Sequence, residues 1–214
     1  MLKSLFPEVK WDNVQIVGFD LDGTLYDEIE FIVQVYQPIS QILANFCDTP
    51  PEPIFKWMLC RWLEKGSSYN YIFSEVLNNH GIHGHAIASI VSECVSVFRN
   101  YKPILKLPIR VSLILDLIKE QYKCFLVSDG TVSLQLAKIK ALGLERWFSS
   151  ENIRITSCYG QDFAKPSTKI IEKISLLHTC TCPTKVVYFG DRIIDKQFAD
   201  SAGFQFMKVN VLFP

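Results

Sequence analysis

Apolar positions along the chain follow two rhythms. Four short runs are apolar at nearly every position and are bounded by polar or turn residues: VQIVGF (14–19), KCFLV (123–127), KVVYF (185–189) and, less sharply, FQFMKVN (204–210). Runs of this kind predict strands buried on both faces. NIRIT (152–156) is a fifth strand candidate. Between the runs the spacing is helical. IRVSLILDLIKE (109–120) repeats apolar residues at that period, and TVSLQLAKIKAL (131–142) sets Val132, Leu136, Ile139 and Leu142 on one face. Gly143 then serves as the residue after the helix, and Lys138 and Lys140 suit the negative end of its dipole. Residues 167–177 and 195–202 read as helices too, the second closed by Gly203.

Strands alternating with helices predict an α/β fold, a Rossmann-like and mostly parallel sheet flanked by helices. From residue 27 to residue 103 the texture changes. Segments such as IFKWMLCRWLEK and AIASIVSECVSVFRNY are helical and aromatic-rich, with no buried strand among them. Pro50, Pro51 and Pro53 interrupt this stretch, and NNHGIHGHA reads as a turn between helices. The expected organisation is a core domain of residues 1–26 and 104–214, interrupted by an all-helical domain at 27–103. Trp57, Trp62, Tyr69, Tyr71 and Phe73 are expected to supply most of the small domain's core.

The chain has 214 residues, 49% of them hydrophobic, enough for a substantial core with or without an insertion. Lys plus Arg and Asp plus Glu number 22 each, so the chain lacks the basic footprint of a nucleic-acid binder. No apolar run of membrane-spanning length occurs, and the first residues lack the pattern of a secretory signal. Seven cysteines without framework spacing point to a reducing, cytoplasmic setting. Several, such as Cys124, sit in apolar runs as small hydrophobes.

The chemistry collects where the strands end. Ligands of open parallel sheets bind outside the carboxyl ends of the strands. The first run ends in Asp20-Leu-Asp22-Gly23-Thr24, the second in Ser128-Asp129-Gly130, and the third passes through Gly190 into Asp191, with Asp195 four residues on. After the run at 152–156 a loop delivers Lys165-Pro166. Alternation along a strand turns Asp20 and Asp22 toward one cavity. Clustered carboxylates repel unless a cation such as Mg²⁺ neutralises them, and Mg²⁺ takes oxygen ligands together with substrate phosphate. Asp20 can then act as a nucleophile toward phosphorus and Asp22 as acid and base. Lys165, the Ser128 hydroxyl and backbone N–H groups around Gly23 and Gly130 can stabilise charge on a transferring phosphoryl group.

These segments resemble the four motifs of the haloacid dehalogenase-like (HAD) hydrolase superfamily. DLDGT is similar to the first, LVSDG to the second, AKPS to the lysine motif and YFGDRIIDKQFADSAG to the fourth, in the family's order. The resemblance covers about residues 14–26 and 104–205, and the insertion resembles the C1 cap of subfamily I in position and helical character. It implies Asp20 as nucleophile and Asp22 as general acid/base, with Ser128 and Lys165 binding phosphate. It implies Mg²⁺ held by Asp20, the Asp22 carbonyl and Asp191, with Asp195 in the outer shell. It further implies a cap that closes over a small phosphate ester. Asp22 points to a phosphatase rather than a dehalogenase. A phosphomutase acting on a sugar phosphate is the alternative within enzymes, and a non-catalytic binding or regulatory protein the alternative outside them. The expected partner is a small-molecule phosphate ester, with no nucleic acid and no membrane, in a monomer or homodimer.

Other features are given plainer roles. Asp129 stands where many relatives carry a neutral residue and is expected to face away from phosphate, and Ser167 is expected to cap the next helix. Asp200 is expected on the surface. His80, His83 and His85 lie in a glycine-broken segment without zinc-ligand spacing and read as a loop, as do Cys180 and Cys182.

Overall fold

The computed structural model describes all of the chain except Thr179, Thr181 and Pro214, and the side chain of His85. In chain order the main elements are α1 (Leu2–Leu5), β1 (Ile16–Phe19), α2 (Ile29–Cys47), α3 (Pro51–Lys65), α4 (Ile72–Asn79), α5 (His85–Asn100), α6 (Ile109–Lys119), β2 (Lys123–Ser128), α7 (Val132–Ala141), β3 (Ile153–Ile155), α8 (Ser175–His178), β4 (Val186–Gly190), α9 (Ile193–Ala202) and β5 (Gln205–Lys208). The chain divides into two compact units, one of Met1–Glu28 with Leu105–Pro214 and the other of Ile29–Ile104. The first is a Rossmann-like core, and the second is an all-helical insertion, the cap domain.

All five strands of the core pair in parallel, in the order β3-β2-β1-β4-β5. The chain therefore leaves β1 toward β2 and β3 on one side and returns to β4 and β5 on the other. This makes the carboxyl end of β1 the topological switch point, where α/β sheets bind ligands. Side chains alternate between two buried faces. Ile16, Phe125, Val127, Val186 and Tyr188 pack on one face with Ile170, Ile174, Leu177 and Phe198. Phe19 stacks on Phe189 on the other, with Phe6 and Phe148 at their edges. Gly18 is dictated by this packing, because a Cβ there would lie 2.2 Å from the Phe125 ring.

Helix α7 departs from the expected apolar face. Its buried residues are Leu134, Gln135, Lys138 and Ile139, while Leu136 is 52% exposed. Two polar side chains thus point inward where a leucine was expected. The predicted helix at 167–177 is instead a 3₁₀ run, Thr168–Lys173, followed by α8, with extended backbone at Ile174 between them. Ser167 caps the 3₁₀ run by accepting the Lys169 N–H. Gly143 and Gly203 adopt left-handed conformations after α7 and α9, as helix endings of this kind require.

In the insertion, Pro51 opens α3 at its first position, where its missing N–H is harmless. The core of this unit is mainly aliphatic. Ile32, Val35, Ile39, Leu43, Ile54, Met58, Val76 and Leu77 are buried together with Phe31, Tyr36 and Phe73. Of the five aromatics expected there, only Phe73 is buried, and Tyr71 is 64% exposed. Tyr69 instead lies beneath Arg61 and Lys65 and donates its hydroxyl proton to Glu75. Glu75 also receives two Arg61 hydrogen bonds of 2.7 Å, which explains why these rings are held at the rim. None of the described helices is long and apolar enough to cross a membrane.

Candidate active site

β1 ends at Phe19, one residue before Asp20, so strand alternation does not itself carry Asp20 and Asp22 into the site. A turn does. Gly23 takes a positive φ of 74°, its N–H donates to the Tyr26 carbonyl at 3.1 Å, and its own carbonyl receives the Val211 N–H at 2.8 Å. An added Cβ at Gly23 would lie 2.4 Å from Asp191 Oδ2, so the turn also sets how closely the β4 end approaches. Because the Gly23 N–H is committed to Tyr26, a phosphate donor at this turn has to come from a neighbour. The hydroxyl of Thr24 is buried and has no hydrogen-bond partner among the described residues.

The two aspartates are held by different partners. Asp20 Oδ1 is 2.5 Å from Lys165 Nζ, which also lies 2.6 Å from Asp195 Oδ1 and 3.5 Å from the Tyr188 hydroxyl. All three charged side chains are almost wholly buried. Asp195 is the third residue of α9, and its Oδ2 accepts the Arg192 N–H at 3.1 Å. It therefore caps the helix and pairs with Lys165 at once. Gly190 permits the close packing, since a Cβ there would sit 2.4 Å from that of Asp195.

Asp22 accepts from Lys138 Nζ at 2.6 Å and from the Tyr26 hydroxyl, both on Oδ1, and from Gln135 Nε2 at 2.8 Å on Oδ2. Gln135 also reaches the Ser128 hydroxyl at 2.8 Å and the Asp129 carbonyl at 2.5 Å. Lys138 does not serve the helix dipole in solvent; it is buried against Asp22. The Asp129 carboxylate accepts from the Thr156 hydroxyl at 2.7 Å and from the Lys165 N–H at 3.3 Å, tying together the loops that follow β2 and β3. Gly130 accepts the Ser157 hydroxyl at 2.5 Å.

Charge and burial act in opposite directions here. Burial pushes the Asp20 carboxyl up to about 8 against the pull of Lys165, and Asp195 and Asp22 add to the rise. Burial and Asp195 likewise raise Asp191 to about 6. Burial alone would raise Asp22, but Lys138, Tyr26 and Gln135 hold it below the usual carboxylate range. Glu28, which the sequence had assigned to the insertion, is raised to about 7 by burial and by Asp22, against Lys138 and Arg192.

Oxygens of Asp20, Asp191 and Asp195 lie within 4.8 Å of one another, the one such acidic, histidine or cysteine group among the described residues. Asp20 Oδ2 and Asp191 Oδ1 are buried without a hydrogen-bond partner there. Unsatisfied carboxylate oxygens at a crowded acidic site fit a hard, oxygen-seeking cation. His80 and His83 form no such group: His80 Nδ1 faces the Val76 carbonyl at 2.8 Å and His83 Nδ1 faces Asn78 at 3.3 Å, while the side chain of His85 lies outside the described residues. Among the described residues the thiol of Cys180 donates to the Cys182 carbonyl and that of Cys182 pairs with the Thr184 hydroxyl, within their own loop.

The family model for haloacid dehalogenase-like hydrolases matches residues 17–209. The chain belongs to this family. Its helical insertion after β1 is the cap architecture of subfamily I. The chain is 23% identical over 201 residues to a glyceraldehyde 3-phosphate phosphatase from Methanothermobacter thermautotrophicus, covering 92% of this chain and 86% of that one. Among solved structures, a subfamily IA hydrolase of the superfamily from Geobacter sulfurreducens superposes with a TM-score of 0.67 at 17% identity, covering 92% of this chain and 87% of the other. The Bacillus subtilis HAD hydrolase YfnB, solved bound to magnesium, gives 0.63 at 17% identity with the same coverage. At these identities the structural likeness speaks to the fold.

Proposed function

We propose that this HAD hydrolase is a Mg²⁺-dependent phosphatase that hydrolyses a small phosphorylated metabolite through an aspartyl-phosphate on Asp20. The observation that carries this reading is the pairing of two differently held carboxylates at the switch point. Asp20 has one oxygen anchored by Lys165 and the other without a hydrogen-bond partner, while Asp22 is present as a second carboxylate among donors. The unanchored oxygen of Asp20 attacks phosphorus, and the ester bond breaks as the leaving oxygen takes a proton from Asp22, which enters this step in its protonated form despite the pull of Lys138 and leaves it as the carboxylate. Asp22 then removes a proton from the water that hydrolyses the acyl phosphate, returning Asp20 and releasing inorganic phosphate.

Mg²⁺, when bound, would neutralise the crowded carboxylates and the phosphate charge. Asp191 would hold it through its unsatisfied oxygen, together with the Asp20 oxygen that does not attack phosphorus and the Asp22 carbonyl. Both Asp195 oxygens are already engaged, by Lys165 and the Arg192 N–H, which favours an outer-shell role for that residue. Lys165 and Ser128 would contact phosphate, with the N–H of Gly130. The archaeal relative's named substrate is itself a small phosphate ester, which supports the substrate class.

The test is phosphate release from an aryl phosphate and a panel of metabolite phosphates, with Mg²⁺, with EDTA, and with Asp20→Asn. Metal-dependent release that vanishes in Asp20→Asn supports the reading. A folded protein that binds Mg²⁺ and releases no phosphate from any ester would overturn it.

A further inference from the structure

We infer that Lys138 and Gln135 are positioning residues for Asp22, aiming one defined lone pair of its carboxylate at the leaving-group oxygen. This rests on the phosphatase reading above. A carboxylate offers about four acceptor positions, two on each oxygen. In this site Lys138 Nζ and the Tyr26 hydroxyl take both positions on Oδ1, and Gln135 Nε2 takes one on Oδ2. A single lone pair on Oδ2 remains. These donors favour the ionised form, so what they contribute to an acid/base carboxylate is direction: the proton that it gives and recovers has one position to occupy, and misaligned proton transfer forfeits rate.

The elements make the arrangement rigid. α7 starts just past the loop that ends β2, so its first two turns face the sheet edge. Gln135 and Lys138 are three residues apart, share the inner face of that helix, and are each only 2–3% exposed. Gln135 is held at three points, since the two hydrogens of its Nε2 are shared among Asp22, the Ser128 hydroxyl and the Asp129 carbonyl. It thereby links the acid/base carboxylate to the loop expected to hold phosphate. Tyr26 closes the arrangement from the β1 turn itself. A buried lysine with no function would be an expensive core residue; here its charge is directed onto a carboxylate that the neighbouring turn presents.

The prediction concerns the leaving group. An alkyl phosphate departs as a strong base and depends on protonation, whereas a 4-nitrophenyl phosphate departs as a weak one and does not. Lys138→Met is expected to lower kcat/KM on an alkyl phosphate ester by about 100-fold, the lower end of what a positioned acid contributes, because kcat/KM reports the step in which the leaving group departs and not the acyl-phosphate hydrolysis common to both esters. On 4-nitrophenyl phosphate the same variant should lose less than about fivefold in kcat/KM, by the same accounting of acid catalysis. Lys138→Arg, which keeps a donating cation, should recover most of the alkyl-ester rate. Lys138→Gln keeps a neutral donor and carries the comparison if the methionine variant does not fold. Equal losses of kcat/KM on the two esters, or no loss on either, would overturn the positioning role while leaving the phosphatase reading standing. Wild-type protein that releases phosphate from neither ester would overturn both.

Discussion

Lys165 sits between two buried carboxylates, and removing it tests how the core unit tolerates its own active site. In Lys165→Met the Asp20 and Asp195 carboxylates lose an ammonium at 2.5 and 2.6 Å, in a place where none of the three side chains is more than 2% exposed. Removing one member of a buried ion pair typically costs about 3–5 kcal/mol, because a charge is left in low dielectric without compensation. At pH 9, above the value of about 8 to which burial raises Asp20, two orphaned carboxylates place this substitution toward the upper part of that range; below it, protonation of Asp20 reduces the cost. At urea m-values of about 1–3 kcal/mol per molar, the midpoint of the core unit's transition should fall by about 1–5 M.

The chain divides into two compact units, so the assay has to report on the core alone. Trp11 and Trp147 are buried in the core unit, whereas Trp57 and Trp62 belong to the insertion. Fluorescence in a Trp57→Phe, Trp62→Phe background, in EDTA, isolates the relevant transition. Asp195→Asn added to Lys165→Met should return about 1–3 kcal/mol, the coupling expected of residues in one network. A loss below about 1 kcal/mol for Lys165→Met, the scale of an exposed pair, would refute the reasoning, since the carboxylates would then have found water or a substitute partner.

Three further outcomes are expected. Gly18→Ala should destabilise the core by about 1–3 kcal/mol because its Cβ would meet the Phe125 ring at 2.2 Å, and Phe125→Leu in the same chain should recover part of the loss in a urea titration. Gly23→Ala should weaken Mg²⁺ binding by about tenfold or more in isothermal titration, since the added methyl would meet Asp191 Oδ2 at 2.4 Å on a backbone with φ of 74° and any relief moves a candidate ligand. Under native conditions at pH 9, iodoacetamide followed by mass spectrometry should find Cys60 and Cys158 modified and Cys94 and Cys124 intact. Burial pushes the latter two thiols up to about 12, so they remain protonated as pH rises and become reactive only on unfolding.

The sheet was legible because both of its faces are buried. Runs such as VVYF and CFLV admit few alternatives, and the order of turns and helices between them leaves a parallel sheet with its chemistry at one edge. Asp20, Asp22 and Asp191 could be picked out because each stands just beyond a strand end, Asp195 because it opens the helix after β4, and Lys165 because it lies in the loop region that follows β3. What periodicity could not supply was the inner face of α7. An apolar count puts Leu136 inward and leaves Lys138 to the helix dipole, yet the protein turns Leu136 out and buries Gln135 with Lys138. Burying a lysine is favourable only if a carboxylate awaits it. That carboxylate, Asp22, is 116 residues away in sequence and becomes a neighbour only when β1 and β2 pair. The available signal was their spacing of three on the helix that leaves the Ser128 loop, which sets both side chains on one face near the site. A similar limit applies in the insertion, where Tyr69 and Tyr71 look like core by residue type. Their place at the rim follows from Arg61 and Glu75, fourteen residues apart, which pair beside Tyr69. In both places, hydrophobic pattern located the element, and a long-range ionic partner decided which of its faces turned inward.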